Sequence, residues 1–463
     1  MKETIVRLSS ITLKNIKNVK NGTIILPCAN RHEFNYNQAE VLGIYGQNGS
    51  GKTAIVDALY FLQNIMLGKS IKPSMIDYID ANSDHAEIQT EFVIYRGNVI
   101  YEVGYHICFK LIEEDIVIDR EYLNCAINKD NNRTNKNNFI DYQRTQTKFI
   151  FTPVKRLEGL IGNDREKRTD LLVARKIAER SNCSYIFGKD SRDILTQPNQ
   201  EFKHYAIVIQ SLFHFALKDL FVIRNSHSGM ISANVLLPMA FRIDNNNNSG
   251  MKGDFTISLM KPTIINAEQK VILDEIVMQI NTVLYTIIPG MSLDINESKQ
   301  VMDSGEEGWK VELMSNREGE RSIPIRMESE GIIKIVSILN ALIQAFGNHS
   351  ICLVIDELDA GIFEYMLGEL LDIFNTSAKG QLIFTSHNLR ALEMLDKNSI
   401  MFSTVNPENR YIHMKNVKGT NNLRGMYIRS ITLGGQEESI YEKTDSLKIA
   451  RAFRKAGRRL QHE

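Results

Sequence analysis

The sequence of 463 residues holds little proline, few cysteines and no excess of charge of either sign. Its 9 prolines exclude collagen-like and proline-rich chains. Its 55 basic and 55 acidic residues exclude a uniformly basic coat for nucleic acid, although a local basic patch stays open. Hydrophobic residues make up 43% and charged residues 24%, which excludes wholesale disorder and predicts a globular chain.

The few cysteines form no CxxC pair and no Cys/His cluster, which excludes a zinc module and a disulfide framework. Isolated cysteines suit a reducing compartment, so we expect a cytoplasmic protein. The polar start at residues 1–3 leads us to expect no signal peptide. The strongest candidate for a membrane span, 205–223, contains charged side chains, and we predict a buried amphipathic helix there and no contact with a membrane.

The order of hydrophobic patterns predicts four segments. Residues 1–150 contain short strands, a glycine-rich turn and a β-meander, with Asn21-Gly22 as the turn of a first hairpin. Residues 151–305 are dominated by helical periods and predict a compact helical insertion. Residues 306–420 return to alternating strands and helices, and 421–463 predict a basic helical end.

A glycine-rich turn follows the apolar run 41–45 and precedes a helical pattern over 54–66. Residues 46–53 read GQNGSGKT and fit G-x-x-x-x-G-K-[ST], a loop whose backbone N–H groups converge on phosphate oxygens. Lys52 would neutralise phosphate charge, and Thr53 would place its hydroxyl on Mg²⁺. The residues predicted to bind ATP in this phosphate loop (46–53) are Gly46, Asn48, Gly49, Ser50, Gly51, Lys52 and Thr53.

Two further apolar runs end in polar residues. The run 351–355 is followed by Asp356, which would hold Mg²⁺ opposite Thr53, and by Glu357, which would deprotonate an attacking water. The run 381–386 is followed by His387. A histidine at a strand end is usually an ordinary exposed residue, but its place one strand after the acidic pair favours a contact with the γ-phosphate or the water.

The residues 328–331, ESEG, precede an apolar helix and form what we term the signature turn. Ser329 and Gly331 fall at the helix start, where phosphate can bind. A single chain needs only one phosphate-binding helix end for its ATP. A second one is explained by a dimer, in which each ATP lies between the phosphate loop of one chain and the signature turn of the other. The plain alternative is a serine that only caps the helix.

The four motifs, GQNGSGKT, ESEG, ICLVIDE and FTSHN, resemble those of the ABC-type ATPases, in the SMC-like branch that includes the overcoming-lysogenization-defect family. The resemblance implies an α/β P-loop fold with an antiparallel β subdomain and a helical insertion, and ATP with Mg²⁺. It also implies that Glu357 is the catalytic base, that His387 is the switch histidine, and that Ser329 and Gly331 contact ATP in trans. Gln89 is the candidate for the glutamine that senses Mg²⁺.

This sequence is similar to the nuclease-free ATPase subunits of anti-phage systems such as Septu and PARIS. We therefore expect a regulatory ATPase that forms a homodimer, or a higher even-numbered oligomer, and serves a separate nuclease or toxin effector. The alternatives are a DNA-repair ATPase of RecF or SMC type and a scaffold in which ATP is only structural. A basic helix with an apolar stripe ending at Leu460 predicts a contact with nucleic acid or an acidic partner, or else a solvated surface helix.

Overall fold

The computed structural model describes residues 4–28, 36, 38–130, 132–197, 199, 202–244, 250–302, 305–415 and 422–459. The strands are β1 (Thr4–Ile16), β2 (Val19–Ile25), β3 (Glu40–Tyr45), β4 (His85–Arg96), β5 (Val99–Ile112), β6 (Asp115–Lys129), β7 (Asn132–Arg133), β8 (Asn137–Gln143), β9 (Leu220–Ile223), β10 (Leu236–Asp244), β11 (Gly250–Ser258), β12 (Thr263–Ile265), β13 (Met291–Val301), β14 (Glu307–Arg317), β15 (Ile323–Pro324), β16 (Cys352–Ile355), β17 (Gln381–Ser386), β18 (Ile400–Ser403) and β19 (Tyr411–Ile412).

The helices alternate with these strands from the phosphate loop onwards. They are α1 (Lys52–Met66), α2 (Val154–Ile161), α3 (Arg165–Ser181), α4 (Lys189–Leu195), α5 (Lys203–His214), α6 (Asn225–Ser232), α7 (Ala267–Ile287), α8 (Glu330–Gly347), α9 (Glu364–Ser377), α10 (Ala391–Met394), α11 (Leu423–Leu433) and α12 (Ser446–Arg459). Two features used in the sequence analysis, residues 1–3 and Leu460, lie outside the described residues.

A central sheet with the order β19-β18-β3-β17-β16-β9 organises the molecule. Its strands run parallel except for β19, which pairs antiparallel with β18. Both faces are covered, since Leu42 and Ile44 of β3 enter one apolar core while Val41 and Tyr45 enter another. Burial on both faces explains the near-continuous apolar runs that mark these strands in the sequence.

A second, antiparallel sheet with the order β2-β1-β4-β5-β6-β7, with β8 also paired to β6, packs beside the first. This is the predicted meander, which is confirmed. The two sheets are joined by the buried side chain of Gln381 on β17, which accepts a hydrogen bond from Leu8 N at 2.9 Å and donates one to Leu8 O at 2.7 Å. Both backbone groups of one β1 residue are thereby satisfied by the neighbouring sheet.

The turn of the first hairpin differs from the prediction. β1 and β2 pair with Ile16 opposite Val19, so the two-residue turn is Lys17-Asn18 and not Asn21-Gly22. Gly22 lies inside β2, where a Cβ atom would approach the Tyr411 ring to 2.6 Å. The glycine therefore serves close packing in a strand, a use that the dipeptide pattern does not distinguish from a turn.

The segment 151–305 is not wholly helical, and in this respect the prediction is wrong. β9 is a strand of the central sheet, β10 and β11 form a separate two-stranded sheet, and β12 and β13 pair with β14. The helix predicted over 205–223 ends early, because α5 is followed by a π-helical turn, Phe215–Asp219, and then by β9. A four-residue apolar run cannot be distinguished from buried helix by periodicity alone.

In the described part of the chain, α8 is the helix that is long and apolar enough to cross a membrane, with a mean hydropathy of 1.4. Buried positions make up 61% of it, and α8 packs against α7 and β10. A core helix of a globular fold passes the same test, so this is weak evidence for a membrane span.

Candidate functional site

The carboxyl ends of the parallel strands bring the predicted motifs to one edge of the central sheet. A cavity of about 380 Å³, which we call the loop cavity, is lined by Lys52 and Thr53 and also by Glu357 and His387. Thr53 and Asp356 are 303 residues apart in the sequence, yet Thr53 Oγ1 lies 3.4 Å from Asp356 Oδ1. Ligands of open α/β sheets bind at this edge, so the fold assembles one site from distant segments.

The backbone of the phosphate loop needs its glycines. Gly49 and Gly51 have φ angles of 78° and 90°, in the left-handed region that favours glycine. At Gly46 a Cβ atom would lie 1.9 Å from Oγ of Ser403, which follows from the tight packing of β18 on the loop. The loop thus curls around an anion-sized space, and α1 directs its N-terminus toward it.

The side chain of Lys52 lies over the loop. Its Nζ donates to Gly46 O at 2.9 Å and to Gln47 O at 3.0 Å. Burial lowers the pKa of the Lys52 ammonium, and the carboxylates of Asp356 and Glu357 oppose that shift. A cation held by carbonyl oxygens in a partly desolvated loop is well placed to neutralise phosphate charge.

Replacement of Lys52 by alanine is expected to weaken ATP binding by roughly 10- to 100-fold, because a hydrogen bond to a charged group contributes about 1.5–3 kcal/mol. Titration of a fluorescent ATP analogue measures the change. Lys155→Ala, at an exposed position on α2, is the matched control and is expected to leave the affinity unchanged. Equal affinities of Lys52→Ala and the control would show that the loop does not hold the triphosphate.

Asp356 has the environment expected of a ligand for Mg²⁺. It is 2% exposed, and its Oδ1 accepts a hydrogen bond from Thr385 Oγ1 at 2.6 Å. Its Oδ2 is buried and has no hydrogen-bond partner among the described residues. No cluster of three or more His, Cys, Asp or Glu placed to hold a metal occurs in the described ranges. Mg²⁺ at nucleotide sites binds through one or two carboxylates plus substrate phosphates.

Glu357 follows in a strained turn. Its φ angle of 50° is left-handed, a conformation that costs about 1–3 kcal/mol for a residue other than glycine. Two hydrogen bonds fix the turn. The Glu357 N–H donates to Thr385 Oγ1, with 2.7 Å between nitrogen and oxygen, and the Lys334 ammonium donates to Glu357 O. The turn brings both Asp356 and Glu357 to the side of the sheet edge where Thr53 lies.

His387 follows β17 and lines the loop cavity. Its backbone N–H donates to Asp359 Oδ2 at 3.0 Å. Burial lowers the pKa of the His387 imidazole, and the ammonium of Lys52 lowers it further. The neutral ring, which can either donate or accept a hydrogen bond, is therefore favoured at neutral pH.

Gln89, Ser329 and Gly331 do not line the loop cavity, and the last two are predicted to contact ATP held by a second copy. Gln89 lies on β4 and donates to Glu87 Oε2 at 2.8 Å, so the structure gives no support for Mg²⁺ sensing there. Ser329 is the exposed N-cap of α8 and accepts a hydrogen bond from Ile332 N at 3.4 Å. Gly331 packs against Gly361, where a Cβ atom would lie 1.9 Å from Gly361 O.

Several residues that support the site were missed. Lys17 and Asn18 line the loop cavity from the hairpin turn, and the Asn18 amide donates to Gly49 O. Tyr411 donates its hydroxyl to Gly51 O at 2.7 Å from the far end of the chain. The sequence carries no signal for the first three, because the left-handed turn at Lys17 has no glycine to mark it and the Tyr411 contact spans 360 residues. Thr385, which is hydrogen-bonded to Asp356 and Glu357, was detectable because it lies inside the FTSHN motif.

Comparisons with known proteins gave one family match and several similar structures. Residues 10–218 match the family model described as an AAA domain. No curated protein matches the chain. An SMC head domain from Pyrococcus furiosus bound to the C-terminal domain of ScpA is similar, with 13% identity over 89% of this chain and 96% of that one and a TM-score of 0.39.

Two other SMC head structures give comparable values. The head domain from Thermotoga maritima is 13% identical over 88% of this chain and 99% of its own, with a TM-score of 0.35. The head domain with a coiled coil and joint from Pyrococcus yayanosii is 13% identical over 92% of this chain and 99% of its own, with a TM-score of 0.39.

The predicted fold class is confirmed. The chain has an α/β P-loop fold, with the phosphate loop after β3 of the parallel sheet and an antiparallel β subdomain beside it.

Proposed function

We propose that the chain binds ATP in the loop cavity and hydrolyses it to ADP and phosphate. The observation that carries the proposal is a cavity lined by Lys52, Thr53, Glu357 and His387, from segments far apart in the sequence. Asp356 lies directly behind this lining, 3.4 Å from the Thr53 hydroxyl. Phosphoryl transfer to water is mostly a matter of positioning and charge, and these are the side chains it requires.

Each residue has a distinct task in this proposal. Lys52 and the loop N–H groups hold the triphosphate, and Thr53 and Asp356 would hold Mg²⁺, which neutralises charge on the phosphates when bound. Glu357 takes the proton of the attacking water, and His387 donates a hydrogen bond to the γ-phosphate or orients the water.

We further propose that two copies of the chain close around ATP. The support is the position of Ser329 in the signature turn, which is exposed and does not line the loop cavity of its own chain, whereas Gly331 is buried. The contact between Gly331 and Gly361 puts this turn beside the loop that leads to Phe363, which is 67% exposed. A second copy would cover this face, and its ATP would meet Ser329. Hydrolysis then removes the contact with the γ-phosphate and lets the dimer open.

Replacement of Ser329 by aspartate is expected to abolish the ATP-dependent dimer while leaving the fold intact. Aspartate caps a helix as well as serine does, but it would place a carboxylate against the partner's phosphate. Native mass measurement with and without ATP reports the change, in a Glu357→Gln background that keeps ATP uncleaved.

The matched control for this experiment is Asn422→Asp. Asn422 is the N-cap of α11 and accepts a hydrogen bond from Gly425 N at 3.1 Å, so the substitution makes the same kind of change at another helix start. It is expected to dimerise like the parent chain. A dimer that persists in Ser329→Asp would exclude the signature turn from the interface.

The role we propose for this ATPase is the regulatory subunit of a bacterial anti-phage system with a separate nuclease or toxin effector, in the cytoplasm. The support for the role is the motif resemblance, and the support for the location is that the five cysteines form no disulfide. Co-expression with the neighbouring gene tests the role. A neighbour that is equally toxic or silent with and without this chain, and that never co-purifies with it, would exclude it.

One observation favours the second candidate, a DNA-repair or recombination ATPase. α12 is exposed, carries Lys448, Arg451, Arg454 and Lys455, and has no acidic residue. A basic helix of this kind fits a nucleic-acid backbone. ATP-dependent retention of DNA by the Glu357→Gln dimer, reduced by higher salt, would favour this candidate, and no retention would exclude it.

A further inference from the structure

A second cavity, of about 370 Å³, lies beside the C-terminal half of α1, whose N-terminus follows the phosphate loop. It is formed by the last turns of α1, the 3-10 turn Pro73–Tyr78 and the residue that follows β9. Its volume is close to that of the loop cavity and within the range of small-molecule sites. Its lining residues that matter here are Tyr60, Phe61, Lys69, Lys72, Tyr78 and Arg224.

Three aromatic rings form one wall of the second cavity. The centroids of Phe61 and Tyr78 are 4.7 Å apart with an interplanar angle of 81°, and those of Tyr60 and Phe61 are 6.0 Å apart. The Arg224 guanidinium lies 4.6 Å from the Tyr60 ring centroid. The Lys17 ammonium lies 4.7 Å from the Tyr78 ring centroid, so a cation already covers one face of Tyr60 and one face of Tyr78. The remaining aromatic surface favours a flat ring, since stacking on aromatic side chains contributes about 1–3 kcal/mol per nucleobase.

The charged side chains of the second cavity favour an anionic group in the same ligand. Lys69 and Lys72 are exposed at the rim, and neither forms an ion pair within the described residues. Arg224 also lines the cavity, but its guanidinium is already paired with Asp57, whose carboxylate oxygen lies 2.9 Å away, and it donates to the Tyr78 hydroxyl at 2.9 Å. No aspartate or glutamate is among the described lining residues. The two rim lysines attract an anion, and the guanidinium fork of Arg224 suits phosphate where the anion competes with Asp57 for it.

We propose that the second cavity binds a mononucleotide-like ligand, a planar heterocycle that carries a phosphate. The ring lies against Tyr60, Phe61 and Tyr78, and the phosphate lies between Arg224 and the two rim lysines. Asn64 and the serines of the same wall supply hydrogen bonds for the edge of the heterocycle.

A buried carboxylate connects the second cavity to the loop cavity. Asp57 on α1 is 2% exposed, accepts a hydrogen bond from Arg224 Nε at 2.9 Å, and also pairs with Lys17. Lys17 lines the loop cavity. A phosphate that draws Arg224 away leaves Asp57 to hold Lys17 more tightly, away from the loop cavity. This link rests on the proposed function, because it assumes that the loop cavity holds the nucleotide.

The test is calorimetric titration of the full chain, first saturated with Mg-ADP, with each of the four common nucleoside monophosphates. At least one is expected to bind with one site per chain. Inorganic phosphate and the matching free nucleoside are expected to bind at least about 10-fold more weakly, since each offers half of the contacts. If no monophosphate binds, or if only an oligonucleotide does, the proposal is overturned.

Charge reversal separates a specific site from general attraction. The double variant Lys69→Glu/Lys72→Glu is expected to lose the binding at least 10-fold, because both lysines would repel phosphate. The control is Lys110→Glu/Lys155→Glu, which makes the same change of net charge at two exposed positions outside the cavity. Binding that is equally weak in both double variants, or undiminished in the first, would overturn the proposal.

The link through Asp57 has its own measurement. The monophosphate that binds is expected to weaken the affinity of the parent chain for ADP about fivefold, and to have no effect on the Lys69→Glu/Lys72→Glu variant. An ADP affinity unchanged by the monophosphate would overturn the link. Failure of the proposed function is distinguishable, since ADP alone would then not bind, whereas titration of the ADP-free chain would still report on the second cavity.

Discussion

Replacement of Glu357 by glutamine is expected to lower the rate of phosphate release by roughly 100-fold or more, while ATP still binds. A positioned general base contributes about 10²–10⁴ in rate, and glutamine keeps the size of the side chain but cannot take the proton. The turn itself is held through backbone groups of Glu357, by Thr385 and Lys334, so the substitution leaves its supports in place. Affinity for ATP depends on Lys52 and is expected to change little.

The measurement is release of phosphate under multiple turnover, together with titration of the fluorescent ATP analogue. The matched control is Glu369→Gln, an exposed position on α9, which is expected to turn over at the parent rate. A Glu357→Gln chain that hydrolyses ATP as fast as the parent would show that the proton goes elsewhere. The scaffold interpretation, in which ATP is only structural, would then gain support.

Replacement of Gly331 by alanine is expected to lower the stability by about 1–2 kcal/mol and to reduce hydrolysis. The added Cβ would lie 1.9 Å from Gly361 O, and a backbone oxygen has no rotamer by which to move aside. Overpacking costs about 1–3 kcal/mol, from which the gain of about 0.5–1 kcal/mol of alanine over glycine in a helix is subtracted. The loop that carries Asp359, which holds the His387 N–H, must shift.

The control for this change lies on the same helix. Gly347 ends α8, and a Cβ atom there meets nothing within 4 Å, so Gly347→Ala is expected to be neutral or slightly stabilising. Chemical denaturation midpoints and rates of phosphate release compare the two variants. If Gly331→Ala were as stable and as active as Gly347→Ala, the tight packing between the signature turn and Gly361 would not matter to the fold or the site.

The site residues that could be predicted from the sequence are those whose chemical groups and local structure are set by the same short stretch of chain. The phosphate loop is a single continuous stretch whose glycines, lysine and threonine are each required by geometry or charge. Asp356 and His387 were predictable for a related reason, since each follows a short run of wholly buried strand residues. The carboxyl ends of parallel strands lie at one edge of the sheet. The proximity of Asp356 and His387 therefore followed from the prediction of a parallel sheet.

What the sequence did not reveal depends on packing between distant segments. Lys17 takes a left-handed turn with no glycine to mark it, and the Asn21-Gly22 pair, which has the stronger turn chemistry, is used inside a strand because the Tyr411 ring packs on Gly22. β9 is four residues long and follows directly on α5 and its π-helical turn. Neither feature leaves a periodic trace in the residues concerned.

The position of β3 has a consequence for synthesis on the ribosome. β3 lies between β17 and β18, both of which are encoded more than 300 positions later, and Tyr411 braces Gly51 of the loop that follows it. Until those late strands leave the exit tunnel, β3 has no neighbours in its sheet. The sheet around β3, and the brace on the phosphate loop that follows it, therefore form only after β17, β18 and Tyr411 have been synthesised, and a product truncated before β17 lacks both neighbours of β3.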